Sequence, residues 1–463
     1  MIDRATLTRR LLGAARTSLA SSNSLLAAAA IVAAMSSIAK LAAVGRDVVI
    51  AHRFGTGDDI DAFFVALLVP TTLAAVLSGS IASASVPIYV ELRQNHDEAR
   101  ARAFAANLLS LMAAFTIAIG VLLALAAPQI IRLIGGGFAA DKQAFATALL
   151  AILAPLAVLQ TLAGFCGALV NAQQRFAAVA LLPVTTPAVS ALVILWWGQG
   201  ATVEMLAVAY LLGAGLEIAA LLPFAAAFDV PLVPRWRGLD APTRRALAQC
   251  ASLAFGAAMM GSTQLVDQAM AAWLGPGSVS MLNYGGRLVA VVLTFVALPI
   301  SVVSLPRFSQ YAAAQDWTRA RRTIRRLAGA TLATAVPATS ILVAISGPIV
   351  DALFVRDALG AREGALIAEI QTYYLLQLPF YLLGLIGVRM LSALGRNRDI
   401  ALIASLNFFA NIALNLVFMR WLGVAGIALA TSVVYAISTA LIFLALRHRM
   451  PAGEPAPVRP EPP

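Results

Sequence analysis

Long apolar stretches recur along the whole chain and restrict its fold more than any other feature. About 20 apolar residues suffice for a helix to cross the hydrocarbon core of a bilayer. The chain is 60% hydrophobic and 12% charged, whereas soluble domains are about 45–50% apolar and about 25% charged. Continuous runs do not fit the alternation of a membrane β-barrel. We therefore predict an all-α polytopic membrane protein, with twelve spans near 25–53, 60–89, 104–127, 143–170, 177–197, 202–227, 248–273, 279–305, 327–347, 364–392, 400–418 and 422–446.

An internal repeat divides these spans into two groups of six. Gly55 and Gly57, after the first span, have counterparts in Gly275 and Gly277 after the seventh, 220 residues later. Because each group has an even number of spans, the two halves would share one orientation, related by an axis along the membrane normal. Such repeats are typical of transporters with a binding site between the halves.

This repeat sets the expected organisation of the chain. The predicted segments are a cytoplasmic N-terminal lead (1–24), a first six-helix bundle (25–229), a cytoplasmic linker and surface helix (230–247), a second six-helix bundle (248–446) and a disordered cytoplasmic tail (447–463).

The positive charges predict the orientation. The net charge is +11, and cytoplasmic loops of membrane proteins are enriched in Lys and Arg. With the N-terminus inside, the inner segments hold 22 basic residues and the outer segments hold 6. Both termini are therefore expected in the cytoplasm, and the basic balance calls for no nucleic-acid partner.

Sequence motifs for covalent chemistry are missing. The chain contains no GxxxxGK[ST], GxSxG or HExxH pattern, and Cys166 and Cys250 belong to no CxxC pair. Neither an enzyme nor an ATP-driven pump is expected, and no cofactor is needed. A transporter of this kind would use Na⁺ or H⁺ coupling or the membrane potential.

Charged residues within the predicted spans point to an anion-binding cavity. Lys40 lies about 22 Å along the first span at 1.5 Å per residue, and Arg46 follows on its outer side. Arg287 lies in span eight, Arg389 in span ten, and Asp61 begins span two. Intramembrane charges are costly and usually face a cavity, although long side chains near a helix end can also snorkel to the interface. Arginine favours phosphate because its fork makes paired, charge-assisted bonds.

Three further charged residues of the first span, Asp47, His52 and Arg53, are expected at the outer rim. Their position after Gly45 suggests contact with solvent there, and no binding role is predicted for them.

A second polar group could bind a cation. Asp267 lies in span seven, and Asn407, Asn411 and Asn415 share one face of span eleven at i, i+4 and i+8 spacing. A carboxylate with amide oxygens could ligate Na⁺, while hydrogen bonding between helices is the alternative. Glu217 in span six is a candidate for proton transfer or helix pairing.

Several motifs resemble one known family. The stretch "GRDVVIAHRFGTGDDIDAFFVALLVP", with "GGGFAADKQAFATALLAILAP", "GALVNAQQRF" and "GPGSVSMLNYGGRLVAVVLTFVALPISVVSLPRFSQ", resembles the MurJ (MviN-type) lipid II flippases of the multidrug/oligosaccharidyl-lipid/polysaccharide exporter superfamily. The resemblance implies two six-helix bundles around a central V-shaped cavity that opens alternately to each side. It also implies a bacterial cytoplasmic membrane protein whose partners are a polyprenyl-diphosphate-linked glycan, membrane lipids and cell-wall or polysaccharide synthesis machinery.

The resemblance also implies roles for individual residues. Lys40, Arg46 and Arg287 would line the cavity and meet the substrate diphosphate, with Asp61 supporting them at the top of span two. Some relatives use a sodium site between spans seven and eleven, which here corresponds to Asp267 with Asn411 and Asn415.

Departures from the family pattern leave alternatives open. Ala74 and Ala290 stand where relatives carry charged residues, and the chain has twelve spans where many relatives have fourteen. A flippase for a lipid-linked exopolysaccharide or O-antigen-type oligosaccharide fits nearly as well. A cation-coupled drug antiporter of the same superfamily would instead place acids at the midplane, and a non-transporting scaffold would tolerate the loss of the cavity charges.

Overall fold

The structure, a computed structural model, describes residues 22–95, 97–173, 176–227, 230–231, 233–356 and 358–450. Residues 1–21 of the predicted lead and 451–463 of the predicted tail lie outside the described residues. The same holds for Arg4, Arg9, Arg10, Arg16 and Arg175, five of the basic residues on which the predicted orientation rests.

The first half consists of helices that begin and end close to the predicted span limits. Several breaks fall at glycine or asparagine residues, such as Gly55, Asn95 and Gly198, where the helical conformation is weak. The helices are α1 (Ser22–Phe54), α2 (Asp58–Gln94), α3 (Glu98–Leu125), the short α4 (Ala127–Ile134), α5 (Ala140–Asn171), α6 (Phe176–Leu181), α7 (Thr185–Trp197) and α8 (Val203–Ala227).

The second half repeats this arrangement. The tenth span of the chain is interrupted at Leu376, three residues before Pro379. Two consecutive helices therefore make up this span. The helices are α9 (Ala241–Ala272), α10 (Ser278–Ala313), α11 (Trp317–Ala344), the short α12 (Ser346–Leu353), α13 (Ala361–Leu375), α14 (Gln377–Ala393), α15 (Asn397–Leu422) and α16 (Val424–Arg449).

These helices confirm the predicted membrane fold. Among the described residues, ten helical segments are long and apolar enough to cross a membrane. They include one segment over 179–200 and one over 361–393. Helices α1 and α9 occupy the other two predicted spans. The all-α polytopic architecture with twelve spans follows directly from the apolar runs.

Apart from helix α9, packing joins the two halves at one end only. We call the end that carries Gly55 and Gly277 the closed end, and the end that carries Ser22 and Arg449 the open end. A single hydrophobic core at the closed end includes Phe63 from α2 and Tyr284 from α10. Toward the open end the halves have separate cores, one around α2, α3 and α5 and one around α10, α14 and α16. The space between them is a V-shaped cavity.

The repeated glycine loops meet at the closed end. Gly55 and Gly277 both have positive φ, +62° and +80°, which favours glycine. A Cβ on Gly277 would lie 2.6 Å from the carbonyl oxygen of Thr56. Tyr284 Oη donates to the carbonyl of Gly55 at 3.1 Å. The two equivalent turns of the repeat therefore form the joint between the halves.

Helix α9 packs along α2, although it begins the second half. A Cβ on Gly261 would lie 3.3 Å from Cγ2 of Thr72. Near the open end, Arg245 pairs with Glu91 at 3.2 Å, and Cys250 belongs to the hydrophobic core of the first half. Helix α9 is thus attached to the first half over most of its length.

The segment 230–247 differs from the predicted linker and surface helix. Residues 241–247 are the first turns of the long α9, because Asp240 caps that helix by accepting from the Thr243 amide at 3.1 Å. The part of this segment that precedes α9 is hydrogen-bonded to α3 through buried Asn107. Its Nδ2 donates to the Gly238 carbonyl at 2.7 Å, and its Oδ1 accepts from the Arg237 amide at 2.9 Å.

Candidate functional site

The structure brings Lys40, Arg46 and Arg287 together around one cavity of about 330 Å³ between the halves. Lys40 and Arg46 lie on α1 six residues apart, with Ala43 between them on the same face. Arg287 faces them from α10. We call this space the cationic cavity. It contains basic side chains from both halves, as an anion-binding site between the repeats requires.

Asp47 connects the two arginines. Its Oδ1 accepts from Nε and Nη2 of Arg46 at 3.0 and 2.8 Å. Its Oδ2 lies 2.8 Å from Nε of Arg287. That second contact is too bent for a hydrogen bond, so we regard it as an ion pair. The prediction that Asp47 is solvated at the outer rim is wrong, since its side chain is only 1% exposed.

The reason lies in the register of α1. Asp47 shares a helix face with Ile50 and Ala51, which are fully buried, and this face points toward α10. Buried charges need partners, and Arg46 and Arg287 provide them. The signal was present in the sequence as i, i+3 and i+4 spacing, but the hydropathy of the segment concealed it.

The ring of Tyr210, on α8, lies against the guanidinium group of Arg46. The guanidinium carbon lies 4.9 Å from the centre of the tyrosine ring, within the range of a cation–π contact. Tyr210 is 3% exposed. The ring therefore holds Arg46 in place without neutralising its charge.

His52 and Arg53 hold loops at the closed end. His52 Nε2 lies 2.8 Å from the carbonyl of Leu353, which belongs to the second half. Arg53 donates to the carbonyls of Gly198, Gln199 and Ala201. The expectation of plain solvation is therefore wrong for both, because these side chains satisfy carbonyls at helix ends.

Asp61 lies in the joint between the halves and does not line the cationic cavity. Its oxygens accept from the backbone amides of Gly277 and Ser280, both at 2.7 Å. Lys142 lies 3.0 Å from Oδ2 of Asp61 and 2.6 Å from Oδ1 of Asp58. Asp61 thus caps the N-terminus of α10, where a negative charge is favoured. We call these five residues the closed-end cluster.

Arg389 is half-buried on α14 and lines neither of the two cavities described for this chain. The structure thus separates it from the three cavity cations with which the sequence grouped it. Glu217, by contrast, lines the cationic cavity from α8. This placement fits a role in transport better than one in helix pairing.

The predicted cation-binding residues converge in the second half. Asp267 of α9 accepts from Nδ2 of Asn411 at 3.1 Å and from Nδ2 of Asn415 at 2.7 Å, both on α15. Thr431 of α16 donates to the other carboxylate oxygen at 3.3 Å. Asn407, one turn away, donates instead to Ser438 at 2.8 Å. Sequence reasoning did not include Thr431.

As placed, both asparagines donate from Nδ2 to Asp267, which is the hydrogen bonding between helices expected as the alternative. The same side chains, together with Thr431, also carry oxygens that could serve a monovalent cation. They offer one carboxylate, one hydroxyl and two amides, and Oδ1 of Asn415 is buried without a hydrogen-bond partner among the described residues. Within the same residues no group of three His, Cys, Asp or Glu could hold a metal ion. Hard oxygen ligands with one negative charge suit Na⁺ better than a divalent ion.

Known proteins share both the sequence pattern and this architecture. The family described as "Lipid II flippase MurJ" matches residues 50–459. The chain is 27% identical over 454 residues to a "Probable lipid II flippase MurJ" of Synechocystis sp., covering 93% of this chain and 83% of that relative.

Two solved structures show the same fold. One is described as "Lipid II flippase MurJ, inward closed conformation", with a TM-score of 0.76, 21% identity, and coverage of 90% of this chain and 87% of that one. The other is an inward-facing multidrug resistance transporter of the MATE family, with a TM-score of 0.73, 14% identity, and coverage of 91% and 98%. The fold is thus common to a flippase and to a drug transporter, so the cavity side chains must decide between these functions.

Proposed function

Because this chain belongs to the lipid II flippase MurJ family, we propose that it moves the headgroup of a lipid II-like precursor across the membrane. The substrate is a polyprenyl-diphosphate-linked glycan whose apolar tail stays in the bilayer. The headgroup passes from the inner to the outer leaflet by alternating access. Transport makes and breaks no covalent bond, so the chain is a transporter and not an enzyme.

One observation carries this proposal, namely the three cations that line a single cavity between the halves. A diphosphate has several charged oxygens, and Arg46 and Arg287 can each offer a planar fork to them. Lys40 adds a mobile point charge. A drug antiporter that exports cations would be expected to place acids at the midplane, and the contrast in charge therefore favours the flippase.

Asp47 gives this cavity a means of responding to substrate. Its carboxylate pairs with both arginines, neutralises only one of their two charges, and links α1 to α10. An incoming diphosphate competes for the same guanidinium groups. Its binding would release Asp47 from at least one of them and weaken the connection between the halves next to the closed end.

We propose that the open end faces the cytoplasm of a bacterial cell. The basic residues in the helix ends on that side, such as Arg93, Arg244 and Arg398, support this orientation. In the described conformation the cavity lies between halves that, α9 apart, share a core only at the closed end. A precursor made in the cytoplasm could then enter from the open end, in line with contact to the synthesis machinery on that side.

We propose Na⁺ as the coupling ion, bound by Asp267, Asn411, Asn415 and Thr431. The amide groups would turn their oxygens toward the ion. Because α9 is attached to the first half while α15 and α16 belong to the second, an ion at this position would join the halves. In Na⁺, the wild-type protein should unfold at a higher temperature than in choline, and Asp267→Asn should abolish that difference. A difference retained in Asp267→Asn would place the Na⁺ site elsewhere, and the absence of any difference in the wild type would favour H⁺ coupling or the membrane potential instead.

Substitution of Arg287 tests the proposed transport. In liposomes with a fluorescent polyprenyl-diphosphate-linked sugar, Arg287→Gln should lower the initial rate by about tenfold or more, the effect of losing a charged hydrogen-bonded contact. Arg307→Gln is the matched control, because Arg307 is an exposed residue of the same helix about 30 Å away at 1.5 Å per residue. Equal rates in both variants would contradict the proposal.

The headgroup itself can be settled by competition. Unlabelled lipid II should inhibit transport of the fluorescent lipid more strongly than a lipid-linked exopolysaccharide or O-antigen-type unit. The reverse order would assign the chain to export of another glycan. Inhibition by a lipophilic cation alone would favour the drug antiporter.

A further inference from the structure

A second cavity, of about 490 Å³, lies next to the cationic cavity and within the second half. Gln264 of α9 lines both spaces, so they adjoin. We call it the tyrosine cavity after Tyr374, Tyr381 and Tyr435 in its wall. Of the residues that line it, Asp267 alone is charged. That residue belongs to the proposed ion site, and the rest of the wall is uncharged.

The side chains of the tyrosine cavity differ in kind from those of the cationic cavity. Hydroxyl, amide and aromatic groups, including Gln377, Asn407, Ser438 and Thr439 beside the tyrosines, are set there among aliphatic side chains such as Leu293 and Val388. Hydroxyls and amides both donate and accept hydrogen bonds. Tyrosine rings offer an apolar face together with a polar tip. This combination matches a sugar ring, which has hydroxyl groups around its edge and C–H groups on its faces.

Asn407 has an acceptor that the protein leaves unused. Its Nδ2 donates to Ser438 at 2.8 Å, while its Oδ1 is buried and lacks a hydrogen-bond partner among the described residues. Buried polar atoms are nearly always hydrogen-bonded, so an exception calls for an explanation. A ligand hydroxyl that donates to this oxygen would provide the missing bond.

The aromatic wall is rigid. Tyr381 of α14 and Tyr435 of α16 pack edge to face, with ring centres 5.3 Å apart and an angle of 76° between the planes. One turn after Tyr381, Gly384 lets these helices approach closely, since a Cβ there would lie 2.8 Å from Oγ1 of Thr439. A ligand would therefore meet a wall that is already formed, which lowers the entropic cost of binding.

We propose that the tyrosine cavity binds the sugar attached to the diphosphate while the cationic cavity holds the diphosphate itself. The inference rests on the proposed function and extends it by dividing the headgroup site between the two cavities. The charged part lies between α1 and α10. The sugar lies among α13, α14, α15 and α16, past Gln264.

Binding of two matched lipids tests this division. The purified full-length protein is titrated with polyprenyl diphosphate and with polyprenyl diphosphate carrying one N-acetylhexosamine. Wild-type protein should bind the sugar-bearing lipid more tightly. Tyr381→Ala should weaken that lipid by about tenfold, the factor expected for one lost aromatic contact with its hydrogen bond, and should leave the bare diphosphate lipid within about twofold.

Two further variants separate recognition from folding. Asn407→Leu removes the unused acceptor at similar size and should weaken only the sugar-bearing lipid. Phe380→Ala is the control, because Phe380 is the neighbour of Tyr381, is 39% exposed and does not line the cavity. It should change neither affinity. The thermal unfolding temperature of each variant shows whether it is folded.

The outcomes are distinct. If Tyr381→Ala and Asn407→Leu weaken both lipids equally, or weaken neither, the sugar does not occupy the tyrosine cavity and the inference is overturned. Failure of the proposed function has a separate signature, because Arg287→Gln would then bind the bare diphosphate lipid as well as wild type does.

Discussion

The closed-end cluster and the cationic cavity both place acids and cations where the halves meet, but they differ in how completely the charges are paired. In the closed-end cluster, Asp61 receives two backbone amides and Lys142. In the cationic cavity, Asp47 is shared between Arg46 and Arg287. Lys40 forms no ion pair with any described residue. We infer from this difference that the closed-end cluster holds the halves together, while the cationic cavity keeps positive charge available for an anion.

Removal of the central acid of the closed-end cluster tests most directly whether this cluster holds the halves together. Asp61→Ala would leave two amides of the α10 N-terminus without their acceptor, and it would leave buried Lys142 with only the half-exposed Asp58 as its partner. Removing one member of a buried ion pair costs about 3–5 kcal/mol. We expect a loss of that size in the free energy of unfolding, measured by denaturant titration in detergent.

Asp58 provides the matched control for this substitution. It contacts the same Lys142 at 2.6 Å, but its side chain is 56% exposed. Exposed ion pairs contribute about 0.2–1 kcal/mol, so Asp58→Ala should have a small effect. Similar losses in the two variants would show that Lys142, and not the cap on α10, stabilises the joint.

The joint also depends on the close approach of its two glycine turns. Gly277→Ala would force a positive φ on alanine and press its Cβ against the Thr56 carbonyl. A non-glycine residue in the left-handed region costs about 1–3 kcal/mol, and the clash adds to this. Gly275 has φ of +106° with nothing within 4 Å of its Cβ position, so Gly275→Ala shows the conformational cost alone. Equal destabilisation would mean that the two turns do not press on each other.

The sequence predicted the helices far better than it predicted the contacts between them. Continuous apolar runs fix the spans, because each run must satisfy its own backbone inside the membrane. Arg46 and Arg287 could be placed in a cavity because intramembrane arginines usually face one, although Arg389, grouped with them by the same argument, lines neither cavity.

The partners of Asp47 and the partners of Asp61 could not be predicted in the same way. Asp61 meets Gly277 and Ser280, which lie 216 and 219 residues away along the chain. Hydropathy and spacing describe a helix and its faces, but they do not say which distant backbone amide a side chain will reach. Thr431 was missed for the same reason, since a threonine on an apolar helix has no distinct pattern of its own.

Asp47→Asn tests whether the incomplete pairing in the cationic cavity matters. Without the carboxylate, Arg46 and Arg287 lose their shared anion, and polyprenyl diphosphate should bind about tenfold more tightly, a change of about 1.4 kcal/mol. Transport should slow, because substrate release becomes harder. Glu217→Gln removes an acid that lines the cavity without contacting the arginines, and it should raise the affinity less. An unchanged affinity in Asp47→Asn would mean that Asp47 does not compete with the diphosphate.

Lys40→Arg should have the smallest effect. It tests whether Lys40 of the cationic cavity differs in role from Lys142 of the closed-end cluster. Lys40 is exposed to the cavity, so replacing it should not change the packing of α1. Arginine keeps the charge and adds a planar fork for phosphate oxygens. Because an exposed ion pair is worth only about 0.2–1 kcal/mol, binding of polyprenyl diphosphate should tighten by no more than about fivefold, measured by titration. The unfolding temperature should stay at the wild-type value. Destabilisation by Lys40→Arg would show instead that Lys40 is a structural residue, like Lys142.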